Sequence, residues 1–164
     1  MNNAQFNSLT SMKALILKTC QQMEVMDKAI DEAKSKLAQD NYAGAELNFT
    51  ALSLNDVDLS EANLTNAILK DANLSQSDLT ETLFSKVDLT GANLSGTNLT
   101  EAKLDNANLT RTNLNSAELF AANLTSAHME RADLTGARLD GANMTNAHLL
   151  HAKYDESTIW PDGF

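Results

Sequence analysis

Three histidines, His128, His148 and His151, lie near the end of the chain, and the first two are twenty residues apart. Imidazoles brought within reach of one another could hold zinc. No thiolate joins them, since the one cysteine, Cys20, is remote and has no histidine near it in sequence. Such a cysteine is expected to be a buried or half-buried residue, not a nucleophile. Carboxylates are plentiful, but none sits in an evident cleft. The chain has no glycine-rich phosphate loop, no activated Ser or Cys and no His-Glu-x-x-His sequence. On residue types we expect no enzyme, no metal site and no cofactor.

Charge narrows the partners. The 164 residues carry 22 acids against 12 bases, a formal net charge of −10. Phosphate backbones are bound by basic surfaces, so direct nucleic-acid binding is not expected. A single cysteine excludes an intramolecular disulfide framework. No apolar run approaches the length of a membrane span. The apolar stretch at residues 14–17 is too short for a secretory signal. These features predict a soluble, cytoplasmic protein. The acidic excess lies wholly after residue 44, where 17 acids face 7 bases. Composition changes at the same place, so we expect a boundary near residue 41, with segments 1–41 and 42–164.

The second segment has one dominant pattern. From Phe49 to Ile159 an apolar residue recurs at every fifth position, 23 times in 23. Two residues before each is usually a small one, and 14 of those 23 are Ala. Between them stands mostly Asn or Asp, and after the apolar residue mostly Ser or Thr. Neither the helical nor the strand period fits. A period of five fits a chain that turns a corner every five residues, with the Leu and the small residue inward. Asn, Asp, Ser, Thr and Gly suit the corners. Stacked coils would then bury a core that one coil cannot. The pattern also generates Asn-x-Ser/Thr sequons, which say nothing of glycosylation without secretion.

Runs such as Ala62-Asn63-Leu64-Thr65, Ala92-Asn93-Leu94-Ser95 and Ala132-Asp133-Leu134-Thr135 closely resemble the pentapeptide-repeat family. The resemblance implies an all-β solenoid, a right-handed quadrilateral β-helix with four repeats per coil. The repeats then make about six coils, roughly 27 Å long at sheet spacing. The ending, Trp160-Pro161-Asp162-Gly163-Phe164, resembles those of cyanobacterial and plastid members, and a C-terminal cap is expected from about residue 155. The first repeat, at Ala45-Glu46-Leu47, is two residues out of frame.

With four repeats per coil, residues twenty apart stack, and the outward residues sort by face. One face collects Asp58, Glu61, Asp78, Glu81, Glu101, Glu118 and Asp140, opposed by Arg138. Two aromatics, Phe120 and Trp160, are expected to be exposed there, although Trp160 could equally belong to the cap. Like charges at sheet spacing repel, and aromatics are enriched in interfaces. This is the candidate interaction face, suited to a protein partner of basic character. A second face collects Lys70, Arg111, Arg131, His128, His148 and His151, diluted by Asp71, Asp88 and Glu130. Asn73, Asn93 and Asn113 should form a polar ladder.

The first segment reads as an α-helix over residues 9–38. Its apolar positions alternate by three and four, including Leu9, Met12, Ile16, Met23, Met26, Ile30 and Leu37. Such a helix would cap the open core or pair with another copy of the chain. We therefore expect a non-enzymatic interaction or scaffold module, with the helix as its candidate oligomerisation element. The alternative is DNA mimicry, since some members of the family resembled act on DNA gyrase in that way. Those members tend to carry Phe at the central inward position, where this chain has Phe at 49 and 84 alone.

Overall fold

The computed structural model describes residues 48–164. The expected helix, with Leu9, Met12, Ile16, Met23, Met26, Ile30 and Leu37, lies outside the described residues. So do the boundary near residue 41 and the irregular first repeat.

The described chain winds into a square coil with a period of twenty residues. Parallel bridges join residues twenty apart, from Asn48↔Ile68 to Asp133↔Lys153. A bridge occurs every five residues, so each coil has four walls. The bridges are isolated, one residue wide, because the next corner begins before a longer strand can form. Between five and six coils are stacked.

The repeat Asn98–Ala102 shows why these residue types give this shape, because each of its five N–H groups has a partner. Asn98 N–H donates to Ser77 O of the preceding coil at 3.0 Å, and Leu99 N–H to Glu118 O of the following coil at 2.7 Å. Glu101 N–H donates to Phe120 O at 2.9 Å, and Ala102 N–H closes the corner on Leu99 O at 3.1 Å. The remaining donor, Thr100 N–H, is taken by the Asn98 side-chain oxygen at 3.1 Å. The Asn or Asp of the repeat is therefore an acceptor for the one N–H that no backbone carbonyl reaches. The Ser or Thr that follows often adds its hydroxyl to the same oxygen, as Thr135 does to Asp133 at 2.6 Å.

The corner itself requires a left-handed residue. Every fifth residue from Ala51 to His151 has a φ between 54° and 71°. That is the third position of a type II turn. Gly91 and Gly136 adopt it freely, whereas residues such as Glu81 and Arg111 do so at roughly 1 kcal/mol or more each. The cooperative ladder absorbs this cost.

The core is a stack of Leu and Ala. Leu64 through Leu139 at the central position are almost wholly buried, interrupted by Phe84 and Met129. Each such Leu contributes about 1.5–3 kcal/mol of burial. Where Ser or Thr replaces the inward Ala, its hydroxyl is satisfied. Thr82 donates to Leu59 O and Thr112 to Leu89 O, both at 2.8 Å. The expected polar ladder is present: Asn93 Nδ2 donates to Asn73 Oδ1 at 3.1 Å, and Asn113 Nδ2 to Asn93 Oδ1 at 3.0 Å. Among the described residues, no helix is long and apolar enough to cross a membrane.

The last coil departs from the five-residue reading. Arg138 bridges to Ile159, twenty-one residues on instead of twenty. One extra residue enters between Lys153 and Thr158. Ile159, expected inward, therefore takes the outward bridge position, 44% exposed. Tyr154, also expected inward, precedes the insertion and keeps its register but lies in the last coil and is 64% exposed. Thr158 takes the small inward position, with its hydroxyl on Leu134 O at 3.0 Å. Trp160 then takes the central position above Leu139. The Asp155 carboxylate stabilises the insertion, accepting from Gly136 N–H, Ser157 N–H and the Ser157 hydroxyl at 3.1, 3.1 and 2.7 Å. Trp160 is half-buried, edge-on to Tyr154 at 5.5 Å and stacked on Phe164 at 4.9 Å. It closes the core and is not a free aromatic on the acidic wall.

Replacing Leu99 by Ala in mid-stack is expected to cost about 2–5 kcal/mol. Leu149→Ala, where burial is already incomplete, should cost clearly less. Denaturant titration of both variants checks the ranking, and equal losses would contradict a core that thins toward its end.

Candidate functional site

Two opposite walls of the square coil carry most of the charged side chains. The acidic wall is built on the bridges Asp58↔Asp78, Asp78↔Asn98, Asn98↔Glu118 and Glu118↔Arg138. Its left-handed corner positions are Glu61, Glu81, Glu101, Ala121 and Gly141. The structure thus brings Asp58, Glu61, Asp78, Glu81, Glu101, Glu118, Phe120 and Asp140 onto one side, and places Trp160 at the end of the core.

The acids on this wall are not equivalent. One carboxylate oxygen of Asp58 accepts from Ser60 N–H at 3.0 Å and from its hydroxyl at 2.7 Å. Asp78 is tied to Thr80 in the same way, at 3.0 and 2.6 Å. These carboxylates serve their corners. Arg138 lies between Glu118, at 3.3 Å, and Asp140, at 3.5 Å, and offsets one of the two negative charges at that end of the wall. The Asp140 Oδ1 is buried and takes no hydrogen bond, so the guanidinium compensates it as an ion pair. Glu61, Glu81 and Glu101 remain, exposed and, among the described residues, in no ion pair. They stack about 4.8 Å apart along the coil axis. Phe120, 47% exposed, stands beside the end of this column.

The opposite wall is built on Ile68, Asp88, Asn108, His128 and His148. Lys70 pairs with Asp88 at 3.1 Å. Farther along, His128 and His148 are direct bridge partners, with ring centroids 4.8 Å apart and planes tilted by 42°. Glu130 Oε1 lies 3.6 Å from His128 Nδ1 and 3.7 Å from His148 Nδ1. One ligand atom from each of His128, Glu130 and His148 falls within a 4.8 Å cluster, which His151 does not join. A shallow groove lined by Thr110, Arg111, His128, Glu130 and Arg131 runs beside it. Sequence reasoning grouped the histidines but treated Glu130 as a diluting charge. The available signal was its place in the repeat, two residues after His128 on the wall where His148 stacks.

The chain matches the family model for pentapeptide repeats, with eight copies over residues 45–85, 77–115 and 117–152. The chain belongs to the pentapeptide-repeat family. Members of this family fold as right-handed quadrilateral β-helices, and the four-walled coil described above agrees. A pentapeptide repeat protein (Rfr23) from the cyanobacterium Cyanothece 51142 is 32% identical, with a TM-score of 0.58, over 70% of this chain and 88% of that one. A pentapeptide repeat protein from the Arabidopsis thaliana thylakoid lumen is 28% identical, with a TM-score of 0.48, over 58% of this chain and 67% of the other. Full-length QnrB1, a plasmid-mediated fluoroquinolone resistance protein, is 18% identical, with a TM-score of 0.31, over 70% of this chain and 79% of its own. Overlap as low as the last two carries no argument about function. No curated protein sequence matches the chain. The pentapeptide-repeat family is generally one of non-enzymatic structural and interaction scaffolds.

Several carboxylates are held below their usual pKa. For Asp133 the Thr135 hydroxyl is the main cause; partial burial opposes it, and the Thr135 N–H and Lys153 assist. For Asp88 and Glu130 burial is the largest single influence and raises the value. Thr90 and Lys70 outweigh it at Asp88. At Glu130 its own N–H and the two histidines do so. A depressed folded pKa means stabilisation that is complete above the unfolded value and lost as pH falls through the folded one. The melting temperature should therefore hold steady from neutral pH to about 5 and decline below about 4. Asp133→Asn, which can still accept from Thr135, should flatten that decline, as thermal melts across the acid range would show.

Proposed function

We propose that the protein is a non-enzymatic interaction module acting in the cytoplasm, and that the acidic wall is its docking surface for a basic protein partner. The observation that carries this reading is the column Glu61, Glu81, Glu101. Three like charges in register cost stability, by a few tenths of a kcal/mol or more per pair. The left-handed corner does not itself demand glutamate, since Gln76, Lys86 and Arg111 occupy it elsewhere. The fold therefore gives no reason for the column. Exposed Phe120 at its end adds an apolar anchor of the kind that centres interfaces.

The test is affinity capture with two baits, the parent and the triple variant Glu61→Lys, Glu81→Lys, Glu101→Lys. Lys86 shows that the corner accommodates lysine, so the variant should fold and melt like the parent. A partner retained by the parent, lost by the variant and released by raised salt is the expected result. Identical partners on both baits would reduce the column to a solvated surface. DNA mimicry rests on the same charges, but Arg138 interrupts the C-terminal end of the wall and Phe occupies the central inward position at 49 and 84 alone. A gyrase supercoiling assay is expected to show neither inhibition nor protection at high protein excess.

The oligomeric part of the reading rests on residues 9–38, proposed as a heptad-patterned helix that pairs copies of the chain. A truncation beginning at Tyr42 should then sediment as a monomer while the parent self-associates. A truncation that keeps the parent's oligomeric state would refute this part.

A further inference from the structure

We infer that His128, Glu130 and His148 form a surface site for a divalent transition metal of the zinc class. The geometry is the first support. Metal–ligand bonds of about 2.0–2.1 Å in a tetrahedron put neighbouring ligand atoms about 3.3 Å apart. Glu130 Oε1 already stands 3.6 and 3.7 Å from the two Nδ1 atoms. The three ligand atoms lie within 4.8 Å of one another, so closing on a cation also draws the widest pair together by up to about 1.5 Å, a movement open to the two exposed imidazoles.

The second support is the stiffness of the frame. His128 N–H donates to Ala107 O at 2.9 Å, and its carbonyl accepts from Leu109 N–H at 2.7 Å. His148 is held in the same way by Ala127 O and Met129 N–H, at 2.9 and 2.8 Å. Both imidazoles thus spring from fixed ladder positions in adjacent coils. Glu130 is positioned by Thr110, whose hydroxyl reaches its other oxygen, Oε2, at 3.5 Å. That contact leaves Oε1 to the histidines, as outer partners do in metal sites.

The third support is the donor chemistry. The donor set of two imidazoles and one carboxylate suits Zn²⁺, Ni²⁺ or Cu²⁺ and is too poor in oxygen for Ca²⁺ or Mg²⁺. It leaves a fourth position open to water or an anion, beside a groove that Arg111 and Arg131 also line. Their charge opposes a bare cation and favours an anion in that open position.

Isothermal titration of the full chain with zinc chloride at neutral pH decides the matter. One zinc per chain is expected, with affinity falling at least about tenfold in Glu130→Gln and in His148→Gln. His151→Gln should bind as the parent does. All three variants lie outside the core and should stay folded without metal, Glu130→Gln melting at most slightly below the parent, so lost binding would not be lost folding. Cobalt(II) should give a tetrahedral visible spectrum without a thiolate charge-transfer band. The inference is overturned if no zinc is taken up at sub-millimolar concentration. It is equally overturned if Glu130→Gln and His148→Gln retain full affinity, or if a thiolate band points to Cys20.

Discussion

The structure depends on the use of four backbone N–H groups in each five-residue repeat, and of the fifth wherever the repeat carries Asn or Asp. Two of them bond to the following coil, one to the preceding coil and one across the corner, and in repeats such as Asn98–Ala102 the Asn or Asp side chain takes the last. A chain that turns every five residues cannot satisfy its backbone within one coil, so the coils must stack in register. That register is what puts residues twenty apart on the same wall. The Leu and Ala columns inside, the Asn ladder and the two charged walls all follow from it. Removing the register would disperse every side-chain cluster at once.

Much of this was legible in the sequence, because the restricted positions are restricted by simple physics. The central inward position admits one bulky apolar side chain per corner, and its partner admits little more than a methyl group. The Asn73–Asn93–Asn113 ladder could be read from the twenty-residue spacing alone. The error came at the end of the ladder. A strict count of five put Ile159 inward, yet Asp155 gathers donors from Gly136 and Ser157 and lets one extra residue loop out. The apolar pattern is indifferent to that insertion, because Ile159 and Trp160 are both apolar and adjacent. Side-chain acceptance at Asp155 decided the register, and no periodicity reports it.

The candidate sites were legible in a weaker sense. Stacking predicted which acids share a wall, but not which of them are already committed. Asp58 and Asp78 are hydrogen-bonded to Ser60 and Thr80, and Glu118 and Asp140 share Arg138, so the carboxylates uncommitted to local contacts are Glu61, Glu81 and Glu101. The Asp and the Ser or Thr of the repeat were read as turn formers, and that reading already implied the first commitment. The commitment through Arg138 needs the coil-to-coil contact. Glu130 was missed for a related reason: its meaning depends on His148, eighteen residues on in sequence and in the next coil in space.

The two charged walls stand on opposite sides of one core, and the core separates them physically. A Leu and Ala interior with almost no exposure leaves no polar path between them. A partner docking on the glutamate column need not touch the histidine cluster. The ladder is rigid at both walls, so neither site has to be ordered on binding, and the entropy cost of association falls mainly on surface side chains. For the glutamates that cost is larger, because they are long, exposed and free of ion pairs among the described residues. For the histidines it is smaller, because Glu130 already holds both rings. The same backbone thus supports a broad, salt-sensitive contact on one side and a compact, pre-formed donor set on the other.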